Sequence, residues 1–324
     1  LTGATDVTDA SIVPEYRSLL LSVMDLVTWC VPIFLLISGY LFLNPERTLT
    51  YPVMIKKYCR RIALAILLFG VPYAASELVV AERTFRIRMI PEALKMTLMG
   101  HTWSHMWYLY LILFLYLITP LLKKVLRVLP VWGVAAVMAV IFLGSSVAPF
   151  LNKVLDVNSI PVLPDGGVYF LYYLCGYFFA VREVCVDKGR NVWLTAAVAV
   201  LALGMILSRT LAGFSIQMAY NYPFTVLLAV LLFAAGWNGS IKKHRIPWQE
   251  AGALSFAVYL VHPVYVNLLY KFVKITPFTV LEQCGVQSVA AGHVLLLFLL
   301  LVFWLLLLAL ATATAWVLRK IPVL

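Results

Sequence analysis

The sequence predicts an all-α fold: a polytopic integral-membrane helix bundle. Three observations predict it. The 324 residues are 63% hydrophobic and only 12% charged, with a mean hydropathy of +0.96. A water-soluble chain of this length has no core large enough for so much apolar surface. The apolar residues gather in runs of about twenty, the length a helix needs to cross roughly 30 Å of hydrocarbon. The runs lack the period-two alternation of a porin-like barrel, which leaves helices to satisfy the backbone in lipid.

Nine helices follow in order. The first, at about 19–43, holds "VPIFLLISGYLFL" and is followed by Arg47 and the basic run "KKYCRR". The second, at about 62–81, starts directly after that run. The third, at about 106–122, opens with "HMWYLYL" and is closed by Pro120, Lys123 and Lys124. The fourth and fifth lie at about 131–150 and 168–181, the latter ending at Arg182. The sixth and seventh lie at about 193–212 and 220–237, with Lys242, Lys243 and Arg245 after them. The eighth, at about 251–270, carries "LSFAVYLVHPVYV"; the ninth, at about 289–318, runs into Arg319 and Lys320. No long polar linker and no internal repeat divides them, so residues 1–324 read as a single membrane domain.

Basic residues accumulate in cytoplasmic loops, and most of the 25 Lys and Arg fall in one alternating set of loops. The set comprises Arg47 to Arg61, Lys123 to Arg127, Arg182 to Arg190, Lys242 to Arg245 and Arg319–Lys320. The C-terminus is then expected in the cytoplasm and the N-terminus of this chain outside. The chain opens on Leu1 with no signal peptide, so a preceding helix, ten in all, is the expectation for the full-length protein. The net charge of +11 follows from the same rule and does not call for nucleic acid. Five cysteines show no CxxC or zinc spacing, so neither a disulfide framework nor a metal centre is indicated.

Chemistry-bearing residues collect at two levels. At the inner face, Lys57, Arg60 and Arg61 stand at helical spacings of three and four, a cationic patch suited to bidentate phosphate contacts or to plain membrane anchoring. Toward the outer face lie Asp25, Glu77, His101 and His105, ionisable groups that are costly in lipid unless they face a cavity or a partner. The i, i+4 spacing of His101 and His105 permits a metal site, but two ligands alone are weak evidence for one. Trp103, Trp107, Tyr108 and Tyr110 form either an interfacial belt or a stacking platform for sugar rings. His262 is expected about 12 Å deep, counted at 1.5 Å per residue. There an imidazole needs a hydrogen-bond partner, and Pro263 frees a carbonyl. Ser38-Gly39-Tyr40 reads as a close helix contact.

Taken together, "VPIFLLISGYLFL", "KKYCRRI", "HMWYLYLILFLYLITPLL" and "LSFAVYLVHP" resemble, in order, the motifs of acyltransferase family 3, the bacterial integral-membrane O-acyltransferases. Lys57 stands where the family usually has an arginine. The resemblance implies transfer of an acyl group, usually acetyl, from cytosolic acyl-CoA to a hydroxyl of a cell-envelope glycan or lipid-linked sugar. It implies a bacterial cytoplasmic-membrane location and no permanently bound cofactor. Its best-known histidine belongs to a first helix absent from this sequence and is expected upstream of Leu1. Carried over by position, Lys57, Arg60 and Arg61 become donor-binding candidates, and His105 and His262 catalytic candidates. Trp107 and Tyr108, with Asp25 and Glu77, become acceptor-binding candidates. The rival readings are a proton-coupled transporter or flippase, and a non-catalytic membrane scaffold.

Overall fold

Prolines and short polar stretches, more than the ends of the apolar runs, decide where these helices begin, kink and stop. The computed structural model describes residues 14–182, 188–211, 219–236 and 248–319. Cys185, Lys242, Lys243, Arg245, Lys320 and residues 1–13 lie outside the described residues. Among the described residues all regular structure is helical. In chain order the helices are α1 Pro14–Val27, α2 Cys30–Leu43, α3 Tyr51–Val53, α4 Arg60–Glu82, α5 Met89–Leu98, α6 Trp107–Val128 and α7 Val131–Phe142. There follow α8 Ala148–Val154, α9 Gly167–Arg182, α10 Lys188–Leu211, α11 Pro223–Gly236, α12 Trp248–Asn267, α13 Pro277–Gln283 and α14 Val289–Leu318. Three π turns, Met54–Cys59, Leu143–Val147 and Leu268–Val273, interrupt or extend this series.

Among the described residues each expected apolar segment is helical over most of its length. Six helical stretches are long and apolar enough to cross a membrane: Tyr16–Leu43, Tyr51–Glu82, Ser104–Val128, Val131–Val154, Leu254–Gln283 and Val289–Leu318. Gly167–Val181, Val192–Ile206 and Pro223–Gly236 are shorter apolar helices. Along α14, Val294, Phe298, Leu301 and Trp304 stay largely exposed, as side chains whose solvent is lipid do.

The differences from the expected boundaries have local causes. The first segment breaks at Thr28–Trp29. Pro32 has no N–H to offer the Thr28 carbonyl four residues back, and the helix restarts at Cys30. Pro120 was expected to close the third segment, yet α6 continues to Val128. One missing hydrogen bond does not end a helix that packing supports. Lys123 is accordingly buried, its Nζ donating to the Phe42 carbonyl at 3.4 Å and to the Asn44 carbonyl, where α2 ends. Three helices, α3, α5 and α13, have no counterpart in the expected nine. All are too short to read as spans, and α13 begins at a capping box in which Thr276 and Thr279 satisfy each other's backbone N–H groups.

The chain divides into two compact units, Leu1–Arg17 with Pro52–Leu117 and His244–Leu324, and Ser18–Tyr51 with Ile118–Lys243. In the second unit α2 packs on α9 through two glycines. A Cβ on Gly39 would stand 2.8 Å from the Tyr173 carbonyl carbon, and one on Gly176 would stand 2.9 Å from the Gly39 carbonyl carbon. Without side chains at these positions the backbones meet, the role the Ser-Gly-Tyr stretch was expected to play. Leu35, Leu36 and Tyr173 are buried beside the contact, and the Tyr173 hydroxyl shares a 2.8 Å hydrogen bond with Thr119. In the first unit α5 lies on α4, with Thr97 against Gly70, and α12 packs on α14, tied by a hydrogen bond between Tyr265 and Thr314.

Candidate active site

The site in the first unit begins with how α5 ends. Gly100 adopts φ 77°, a left-handed value that an L side chain rarely takes. Its N–H donates to the Thr97 carbonyl at 3.1 Å, while the His101 N–H donates to Met96 at 2.8 Å. This pair of bonds is the Schellman arrangement, and it turns the chain back toward α4. Tyr110 secures the turn from α6 by donating to the Thr97 carbonyl. His101 is left exposed, whereas His105 falls in a short 3₁₀ segment, Ser104–Met106. No helix joins the two histidines, so the i, i+4 metal geometry considered from the sequence has no scaffold. No group of three or more His, Cys, Asp or Glu that could hold a metal occurs among the described residues.

The returning segment brings aromatic rings together from three elements. Trp103 lies flat on Tyr73 of α4, centroids 4.0 Å apart and planes 2° from parallel. Beside this pair stands the His105 ring, 5.7 Å from Tyr73, 5.6 Å from Tyr259 and 5.8 Å from His262, the last two both on α12. Tyr108 meets Tyr259 edge-on at 5.8 Å, and Trp107 meets Tyr108 at 6.2 Å. The two candidate histidines, far apart in sequence, therefore face one another at the centre of an aromatic enclosure.

Hydrogen bonds hold the enclosure in register. The Tyr73 hydroxyl donates to the Leu260 carbonyl at 2.6 Å, and the Tyr259 hydroxyl donates to the His105 carbonyl. His262 Nδ1 stands 2.8 Å from the Tyr259 carbonyl oxygen and 3.2 Å from that of Val258. His105 Nε2 is buried and has no hydrogen-bond partner among the described residues. Such a nitrogen costs about 1–3 kcal/mol unless a ligand or water meets it, so it marks the point at which the enclosure is chemically incomplete.

The basic run takes an unexpected form. Met54–Cys59 is a π turn, closed by the Arg60 N–H donating five residues back to the Ile55 carbonyl. The wider turn changes the facing residues: Lys56, four and five positions before Arg60 and Arg61, joins the patch with Lys57. All four cations are exposed, while Met54 and Cys59 anchor the turn inward. Among the described residues no carboxylate lies within salt-bridge distance of them, whereas Glu82 pairs with Arg86 at 3.4 Å and Arg88 at 3.8 Å. The Arg61 guanidinium rests on the Phe256 ring at 5.1 Å, and Lys57 lies 5.5 Å from the Tyr58 ring. Phe256 and His262 share α12, six residues or about 9 Å apart along the axis.

A family model described as an acyltransferase domain matches residues 2–320. The chain belongs to acyltransferase family 3. No curated protein and no solved structure matches it. With its membrane-length helices, this family member is a membrane acyltransferase.

The remaining candidates of this acyltransferase are placed as follows. Trp107 and Tyr108 lie at the edge of the histidine enclosure. Glu77 is exposed on α4, one turn beyond Tyr73. Asp25 is 1% exposed on α1, among the residues of the second unit. Tyr73, Tyr259 and Lys56 did not stand out as site residues in the sequence. For Tyr259 a signal existed, because it lies three residues before His262 and so on the same helix face. For Tyr73 there was none, since its role depends on the return of residues 101–106.

Proposed function

We propose that this membrane acyltransferase moves an acyl group, acetyl in the simplest case, from acyl-CoA to a hydroxyl of a cell-envelope glycan or lipid-linked sugar. One observation carries the proposal: Arg61 of the exposed basic segment rests on the same helix, α12, that bears His262 about 9 Å further on. A phosphate seat and a proton acceptor are thereby offered at a spacing that the pantetheine arm of CoA can bridge.

In this reading Lys57, Arg60 and Arg61, with Lys56, grip the CoA phosphates through charge-assisted hydrogen bonds. His262 takes the proton of the acceptor hydroxyl, and the hydroxyl oxygen bonds to the thioester carbonyl carbon. The carbon–sulfur bond then breaks, and the departing thiolate takes the proton back. His105, whose Nε2 points into the enclosure without a partner, meets the acceptor or the developing oxyanion. Trp107 and Tyr108 offer ring faces to the sugar, and Asp25 and Glu77 remain acceptor-side candidates. The nine apolar segments each cross a bacterial cytoplasmic membrane, with the basic segment and the C-terminus inside.

Two measurements test the proposal. Membranes containing the protein should incorporate radiolabelled acetyl from acetyl-CoA into a glycan or lipid-linked sugar; accumulation of free solute instead favours transport. The Arg60→Ala, Arg61→Ala double variant should lose acetyl-CoA affinity, and unchanged binding refutes the donor assignment.

A further inference from the structure

In an unbroken helix the peptide N–H of residue 263 would donate to the Tyr259 carbonyl, four residues back. Pro263 lies inside α12 and has no N–H to give that carbonyl. The His262 side chain meets it instead, its Nδ1 2.8 Å away, with the Val258 carbonyl 3.2 Å from the same nitrogen. Carbonyl oxygens only accept. In the neutral ring the hydrogen therefore sits on Nδ1, and Nε2 keeps its lone pair.

We propose that Pro263 is a positioning residue for acyl transfer: by withholding a peptide N–H from the Tyr259 carbonyl, it holds His262 in the Nδ1–H tautomer, with Nε2 turned to the reaction. This inference rests on the acyltransferase reading and adds to it which nitrogen works and what selects it. The same turn of α12 is fixed twice more. Tyr73 donates from α4 to the Leu260 carbonyl at 2.6 Å, and the Tyr259 hydroxyl holds the His105 carbonyl. Tyr259 thus serves both histidines, one through its backbone and one through its side chain. Histidines elsewhere that must present one particular nitrogen are commonly held by a carbonyl on the other.

The test is ¹⁵N-histidine NMR of the full detergent-solubilised chain, with the His262 signals assigned by their loss in His262→Gln. The neutral wild-type ring should show a protonated Nδ1 and a bare Nε2. In Pro263→Ala the new N–H occupies the Tyr259 carbonyl, so the Nε2–H tautomer should appear. The kcat for acetyl transfer should then fall on the order of ten-fold, with KM for acetyl-CoA changed less than about two-fold. Pro263→Gly restores the same N–H and provides the measurement where the Ala variant does not accumulate. Tyr259→Phe keeps the carbonyl and should keep the wild-type tautomer. A bare Nδ1 in wild type, or a wild-type tautomer in both residue-263 variants, overturns the inference. If wild type transfers no acetyl group, the acyltransferase reading falls, while the spectra still decide the tautomer.

Discussion

Replacing Gly39 by alanine adds one methyl group where α2 meets α9, and the structure sets the size of its effect. The new Cβ would run into the Tyr173 carbonyl oxygen, its nearest neighbour, and lie 2.8 Å from the carbonyl carbon and 3.1 Å from Cα, against an ordinary contact of at least 3.4 Å. The atoms it meets are backbone, so no side chain can swing aside; clearing the carbonyl carbon alone moves the helices 0.6 Å apart, the difference between 3.4 and 2.8, and the oxygen demands more. A gap of that order forfeits roughly a quarter to a half of each dispersion contact across it. Leu35, Leu36, Tyr172 and Tyr173 are buried beside this contact. Overpacking of this kind costs about 3 kcal/mol, and the better helix propensity of alanine returns up to about 1, a net loss of about 2 kcal/mol. Gly204 in α10 supplies the control, because a Cβ there meets nothing within 4 Å. Gly204→Ala should be neutral or raise stability by up to about 1 kcal/mol. Thermal unfolding in detergent should place Gly39→Ala about 3 °C below wild type, at roughly 1.5 °C per kcal/mol for a chain of this length, and Gly204→Ala at or above it. Equal melting temperatures for the two variants would refute a backbone-to-backbone contact at Gly39.

The other predictions concern chemistry and one helix end. The Arg60→Ala, Arg61→Ala variant should weaken acetyl-CoA binding by roughly ten-fold or more, since hydrogen bonds to charged groups contribute about 1.5–3 kcal/mol each. Isothermal titration should show the wild-type affinity falling with added salt and the variant's falling less steeply, since Lys56 and Lys57 remain. His262→Ala should lower kcat by about 10²–10⁴-fold with little change in acetyl-CoA binding, measured as label transfer under saturating donor. Lys123→Met removes the amine that meets the Phe42 and Asn44 carbonyls, and should lower stability by about 1–2 kcal/mol in the same melting assay.

Much of the helical architecture was legible in the sequence because lipid makes a uniform demand. Each crossing needs an apolar run, and each run was visible. The short elements were not legible, since α5 needs only ten residues and hides one face, Met89, Ala93 and Thr97, against α4. The π turn at the basic run was not legible either, because its composition differs in nothing from an α-helical anchor. Of the site, the residue types and the freed carbonyl near Pro263 could be read in advance; their partners could not.

Composition and periodicity alone determined that this chain lives in a membrane as helices, and the order of its motifs determined its family. Only the tertiary structure decided that His105 faces His262, that Trp103 covers Tyr73, and that Arg61 reaches the helix bearing His262. The reason is physical. Hydrophobic patterning is a property of neighbouring residues and their solvent, whereas a reactive constellation depends on which distant helices pack together. That pairing is settled by close fits such as Gly70 against Thr97 and by single hydrogen bonds across helices, which no local pattern encodes.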